Sequence, residues 1–254
     1  MKVTVLGAAG SRCGVYSATC LQVDTHLLID AGHLGALPVE QWQSIEVVLL
    51  THAHFDHIAD LPFLLGCTWQ QRQVPLRIYG HPATLQAVQQ HLFNDTIWTD
   101  FRNLRLPNGQ DPVVHFEAVE AGQLFRIGSY YVIPFRSNHP VPTLGYVVKQ
   151  GDRGFAFTSD TGPNPQVWEM VNADAQIKAV ITEVSLPNRL SAEAAAVGHY
   201  TPQLLREDLR IVRRTDVTIY AVHWKPELEA EVLHDIATDL PDVVVLRGGE
   251  QLEF

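Results

Sequence analysis

The sequence predicts an α/β fold, a four-layer αββα sandwich built on two mixed β-sheets, and three observations predict it. Short apolar runs of strand type crowd the first half, two hairpin-like pairs follow, and strands then alternate with helical patterns. Strands with few helices, succeeded by strand-helix alternation, suit two mixed sheets with helices packed outside.

Residues 3–6, 19–23, 27–29, 47–50 and 76–79 read as strands, being brief, apolar and set off by turn-forming residues. Helical patterns intervene only at 61–71 and 83–92. The hairpin-like pairs lie around 125–135 and 146–158. Strands at 179–184, 217–222 and 243–246 then alternate with helices at 202–213 and 226–237, the first of them opened by Thr201-Pro202.

No Pro/Gly/Ser-rich linker or charge block divides the 254 residues, and element signals run to the end, so one domain spanning 1–254 is expected. A composition 46% hydrophobic and 18% charged supplies a substantial core. The formal net charge of -10 disfavours a broad cationic face for extended nucleic acid, while a small anionic substrate stays compatible. Cys13, Cys20 and Cys67 lack C-x-x-C spacing, so neither a disulfide framework nor a thiolate metal site is indicated. Met1-Lys2 runs straight into the first strand and no apolar run is long enough to span a bilayer; a soluble, cytoplasmic protein is expected.

The chemistry concentrates at strand ends. His52, His54, Asp56 and His57 pack four potential metal ligands into six residues directly after the run Val47-Val48-Leu49-Leu50. Imidazoles mixed with carboxylates suit zinc or a neighbouring first-row metal better than magnesium or calcium. His139, Asp160 and His223 each follow a further strand-like run, and a sheet scaffold aims such side chains into one cleft. Gly7-Ala8-Ala9-Gly10-Ser11-Arg12-Cys13-Gly14 matches neither G-x-G-x-x-G nor the P-loop, so it is read as a tight turn near the cleft.

The ordered set His52, His54, Asp56, His57, His139, Asp160 and His223 resembles the five-motif signature of the metallo-β-lactamase superfamily, across essentially the whole chain. The resemblance implies one ion on His52, His54 and His139, another on Asp56, His57 and His223, and Asp160 bridging both. It implies two divalent ions, zinc first with manganese or iron as alternatives, and a bridging hydroxide whose parent water drops in pKa from about 15.7 towards about 7. Asp30 in Leu28-Ile29-Asp30-Ala31-Gly32 matches the superfamily's early aspartate, which orients the histidine loop. His54 stands where the diiron oxygen-reducing flavoproteins carry glutamate, which sets a redox role aside.

Two segments narrow the resemblance. Glu183 in Ile181-Thr182-Glu183-Val184-Ser185-Leu186-Pro187-Asn188 and His199 in Gly198-His199-Tyr200-Thr201-Pro202 look like the paired Glu and His motifs of the superfamily's phosphodiesterases, ribonuclease Z included. A departing ester oxygen needs a proton, and a His oriented by a Glu can supply it. With Asp56, this pair is the implied catalytic set. Phe93-Asn94-Asp95-Thr96-Ile97-Trp98-Thr99-Asp100-Phe101 resembles the F-N-D-x-I-W-P-D-F run of class II cyclic-nucleotide phosphodiesterases, with Thr99 in place of Pro. Ser137-Asn138-His139-Pro140 and His223-Trp224-Lys225-Pro226 agree with the same family, Asn138 being an extra residue. Phe93, Asn94, Asp95, Trp98 and Lys225 are accordingly the candidate substrate contacts. The expected activity is hydrolysis of a 3',5'-cyclic nucleotide, cyclic AMP foremost, to the 5'-nucleotide, and a homodimer is compatible with it. The rival readings are a ribonuclease Z-like nuclease, a hydrolase of other small phosphodiesters, and a non-catalytic metal-binding protein. The net charge and the lack of a long basic Gly/Pro-rich insertion argue against the nuclease.

Overall fold

The computed structural model describes residues 1–254 and contains two seven-stranded sheets. The first holds β1 (Lys2–Gly7), β2 (Cys20–Val23), β3 (Leu27–Ile29), β4 (Val47–Leu49), β5 (Leu76–Gly80), β6 (Val114–Ala118) and the last strand, β14 (Gln251–Glu253). The second holds β7 (Phe125–Ile127), β8 (Tyr130–Arg136), β9 (Leu144–Gln150), β10 (Arg153–Phe157), β11 (Ile177–Glu183), β12 (Thr218–Val222) and β13 (Val244–Val245). Their orders are β14-β1-β2-β3-β4-β5-β6 and β13-β12-β11-β10-β9-β8-β7.

Each sheet is antiparallel on one side and parallel on the other. Parallel pairing runs from β3 to β6 and from β10 to β13. Parallel strands require crossovers and tolerate burial on both faces. The all-buried sequences of β3 (Leu-Leu-Ile) and β4 (Val-Val-Leu) fit that position.

Period-two alternation divides these strands between two cores. Leu27, Ile29, Val47 and Leu49 join the larger cluster with Val148, Phe155 and Ile181 of the other sheet. Leu28, Val48 and Ile78 face the opposite way, against Leu61, Leu64 and Leu65 of α3 (Leu61–Thr68) and Leu85 and Val88 of α4 (Pro82–His91), the chain having formed α1 (Val39–Trp42) and α2 (Phe55–Ile58) before them. Outside the second sheet lie α5 (Pro165–Ala173), α6 (Ser191–Val197), α7 (Pro202–Leu209) and α8 (Glu229–Asp239). Trp168, Leu205, Val232 and Ile236 from α5, α7 and α8 bury into the larger cluster. The expected αββα layering is therefore present.

Several elements differ from expectation. The helix expected over 61–71 stops at Thr68, whose hydroxyl bonds back to Leu64 O at 2.5 Å. α5 and α6 arise in segments without a foreseen pattern, and β6 and β14 were not foreseen either. β14 is Gln-Leu-Glu with only Leu252 apolar, and it becomes a strand by pairing with β1. No helix is long and apolar enough to cross a membrane.

Candidate metal centre

Six of the residues singled out in sequence meet where strands of both sheets end. Asp30 follows β3, His52 follows β4, His139 follows β8, Asp160 follows β10, Glu183 closes β11 and His223 follows β12. Three of the five non-glycine residues with positive φ sit here, namely Asp30 at 60°, Ser159 at 57° and His223 at 71°. Such backbone costs roughly 1–3 kcal/mol per residue and persists only where surrounding contacts fix it. Gly10 and Gly32 let loops approach the site closely: a Cβ on Gly32 would stand 1.9 Å from Asp56 O, and one on Gly10 2.7 Å from His223 O.

The donor atoms converge in two groups. His52, His54, His139 and Asp160 offer atoms all within 4.8 Å of one another, and so do Asp56, His57 and His223. Asp160 joins the two, with Oδ1 3.2 Å from the Nε2 atoms of both His57 and His223 and Oδ2 3.8 Å from His52 Nε2. Asp56 Oδ2 lies 3.3 Å from His223 Nε2. Yet His52 Nε2 and Asp160 Oδ1 are buried without a hydrogen-bond partner. Buried lone pairs left unpaired are costly, and a cation is the partner that nitrogen and carboxylate donors share. The cluster is able to bind metal ions, and its N/O donor set, free of thiolate, fits first-row metals.

The surrounding groups hold each ring in place. Asp30, fully buried, accepts from Thr51 N at 2.8 Å, from the Thr51 hydroxyl at 2.8 Å and from His57 Nδ1 at 2.7 Å. His57 thereby keeps Nε2 directed at the cluster. His139 Nδ1 donates to Gly198 O at 3.0 Å, and His223 Nδ1 meets the Ser185 hydroxyl at 2.9 Å. Burial opposes charge on His57, but the Asp160 and Asp30 carboxylates outweigh it and raise its pKa well above the ordinary value. Burial likewise works against ionised Asp160, yet His223 and His57 hold it well below the usual carboxylate range. His52 goes the other way, its pKa lowered by burial and by neighbouring His57, so it presents a neutral imidazole.

Glu183 and His199 stand beside this cluster. Glu183 is 1% exposed; its Oε1 accepts from His199 Nδ1 at 2.6 Å and Thr161 N at 2.7 Å, and its Oε2 from the Ser185 hydroxyl at 2.5 Å. His199 shares a 4.8 Å grouping with Asp160 and His223. Burial would lower its pKa, but the Glu183 carboxylate prevails and raises it. Gly198, at φ 69°, ends α6 in the left-handed conformation and delivers His199 beside His139, in a space where its own Cβ would come 2.7 Å from Pro140 Cδ. Ser185, which ties Glu183 to His223, had no role in the sequence reading. The signal was available: positions 183 and 185 fall two apart, on one face of an extended segment.

The expected substrate contacts fare differently. Phe93 is corrected to a core residue, 1% exposed and packed against Phe101 and Phe116 at ring-centroid distances of 6.1 and 6.2 Å. Asn94 and Asp95 spend side-chain acceptors on their own turn: Asn94 Oδ1 takes Thr96 N and Ile97 N at 3.0 and 2.8 Å, and Asp95 Oδ1 takes Asp100 N at 2.8 Å. Trp98 is half-buried and meets Phe63 edge-on, with centroids 5.3 Å apart. Lys225 donates to Gly10 O at 2.9 Å and lines a cleft of about 570 Å³ together with Arg12, Phe55, Asp56 and Phe63. Neither Phe55 nor Phe63 was singled out from the sequence.

A family model described as "Beta-lactamase superfamily domain" matches residues 25–224. The chain belongs to the metallo-β-lactamase superfamily. Among its relatives, a probable 3',5'-cyclic-nucleotide phosphodiesterase of Yersinia pestis is 27% identical over 184 residues, covering 66% of this chain and 51% of that protein. A ribonuclease Z of Thermococcus kodakarensis is 34% identical over 119 residues, covering 46% of this chain and 33% of that protein. The matched segments thus span about half and about a third of these relatives' lengths. Unliganded yeast PDE1 shares the fold, with a TM-score of 0.82 at 17% identity, covering 100% of this chain and 99% of that one. Proteins named as a cyclic-nucleotide phosphodiesterase and as ribonuclease Z are thus among the relatives of this superfamily member.

Proposed function

We propose that the protein is a two-metal phosphodiesterase that hydrolyses a 3',5'-cyclic nucleotide, cyclic AMP foremost, to the 5'-nucleotide. The observation that carries this reading is His199, held by Glu183 at 2.6 Å at the edge of the ligand cluster with its pKa raised. A protonated imidazole there supplies the proton that an alkoxide leaving group needs, and that a thioester hydrolase, whose thiolate leaves readily, would need far less.

His52, His54 and His139 would hold one ion, Asp56, His57 and His223 the other, and Asp160 both. When bound, the two ions, zinc in this reading, supply Lewis acidity toward the phosphate oxygens and a water acidic enough to attack at neutral pH. The chain's own part is positioning and proton transfer. Asp30 and Ser185 fix the rings of His57 and His223, and Asp160 and Asp56 remain ionised. His199 gives its proton from Nε2 to the departing 3' oxygen while Glu183 stabilises the imidazolium. Lys225, on the cleft side of Asp56, adds positive charge for the phosphate.

The ribonuclease Z-like reading draws on the Thermococcus relative and would use the same residues. A net charge of -10 and a cleft of about 570 Å³, the size of a small-ligand site, favour a mononucleotide. Metal-defined protein should turn over cyclic AMP or cyclic GMP faster than a cyclic dinucleotide or a transfer-RNA precursor. Faster cleavage of the RNA, weakening steeply with salt, would install the nuclease reading instead.

A further inference from the structure

The geometry points to Phe55 and Phe63 as the aromatic wall that receives the nucleotide base, with Trp98 as the residue that positions Phe63. This inference rests on the phosphodiesterase reading and names the part of the chain that would select the substrate. Phe55 is 71% and Phe63 46% exposed, although large apolar rings ordinarily seek cover. Both line the same cleft as Asp56 and Lys225. That cleft therefore brings a carboxylate of the ligand cluster and a cation together with two aromatic rings, the two chemistries that a nucleotide's phosphate and base call for.

The cavity beside the other ligand group is different. It measures about 190 Å³, lies next to His139 and is lined by His81, Glu120 and Arg136, without a Phe, Tyr or Trp side chain. Small-ligand sites ordinarily occupy about 300–1,000 Å³, so only the first cleft has room for a nucleoside. In a 3',5'-cyclic nucleotide both ester oxygens close on one sugar, so one nucleoside must be housed; an acyclic dinucleotide needs room on both sides. The asymmetry of the two clefts suits the cyclic substrate.

Trp98 explains how the 93–101 segment takes part without touching the base. Its ring meets Phe63 at an interplanar angle of 70°, and it packs over Gly66 of α3, whose Cβ position lies 3.5 Å from the indole. An edge-to-face pair of this kind fixes ring orientation. Trp98 is in this account a positioning residue.

The test compares wild type, Phe55→Ala, Phe63→Ala and Trp98→Ala on cyclic AMP and on the base-free methyl β-ribofuranoside 3',5'-cyclic phosphate. Stacking on an aromatic side chain predicts a loss in kcat/KM of roughly fivefold to over a hundredfold on cyclic AMP for Phe55→Ala or Phe63→Ala. On the base-free ester the same variants should lose much less, and Trp98→Ala should show a smaller loss with the same selectivity, mainly in KM. Calorimetric binding of 5'-AMP should weaken in the variants while that of ribose 5-phosphate does not. Equal losses on both esters, or wild type that handles both alike, overturn the aromatic wall and leave the phosphodiesterase reading standing. No hydrolysis of either ester by metal-loaded wild type overturns that reading and this one together.

Discussion

The segments 52–57 and 93–101 carry the two densest motifs in the chain, and the structure treats them in opposite ways. The first begins where β4 ends at the rim of its sheet, and His52, His54, Asp56 and His57 all contribute donors to one cluster. The second follows α4 and turns inward: Phe93 and Phe101 go to the core, and Asn94 and Asp95 satisfy backbone amides of their own turns. A motif marks a structural need as readily as a chemical one. Unpaired donors separate the cases, since His52 Nε2 and Asp160 Oδ1 lack partners whereas the polar groups of 94 and 95 do not.

The sharpest way to break this contrast is Asp160→Ala. A carboxylate shared by both ligand groups should, when removed, cost about a thousandfold or more in kcat and lower the metal content below the two ions per chain expected of wild type, since metal assistance is worth several kcal/mol. Elemental analysis of active wild type finding one ion or none would contradict the two-ion arrangement.

His199→Ala should reduce kcat on cyclic AMP by about a hundredfold to ten-thousandfold with metal content unchanged. A phenolate-like leaving group needs little protonation and should be spared much of that loss. If the variant sheds metal, or loses the same factor on both substrates, His199 belongs with the ligands. The proton has a pH signature. His199 is raised by Glu183, so the protonated acid persists above pH 6.5 and kcat should fall as pH rises through the raised pKa. Glu183→Gln removes the carboxylate charge and should move that alkaline limb to lower pH; an unmoved limb would detach His199 from it.

Asp30→Asn should weaken metal affinity about 10- to 100-fold, the usual effect of losing a group that orients a ligating ring. Competition with a chelator measures it.

At the small end for activity, Phe93→Ala should cost about 3–5 kcal/mol in unfolding free energy and leave kcat per folded molecule nearly unchanged. Asn94→Ala and Asp95→Ala should behave alike at about 0.5–2 kcal/mol, the range for losing a side-chain cap on backbone amides. A selective loss on nucleotide substrates in any of the three would return the segment to direct substrate contact.

By itself the sequence determined the ingredients that are local and repetitive. Strands β3 and β4 were legible because parallel, doubly covered strands are uninterrupted apolar runs, and the ligand loop because four donors lie within one short stretch. β6 and β14 were not legible, for their strand character comes from the neighbour they pair with. Only the tertiary structure decided that Ser185 joins Glu183 to His223, that Gly198 carries His199 to His139, and that Phe55 and Phe63 share a cleft with Lys225. Side-chain type and spacing constrain what a residue can do within its own turn or strand, whereas which surfaces meet depends on how separate elements pack and close, and that closure is a property of the whole chain.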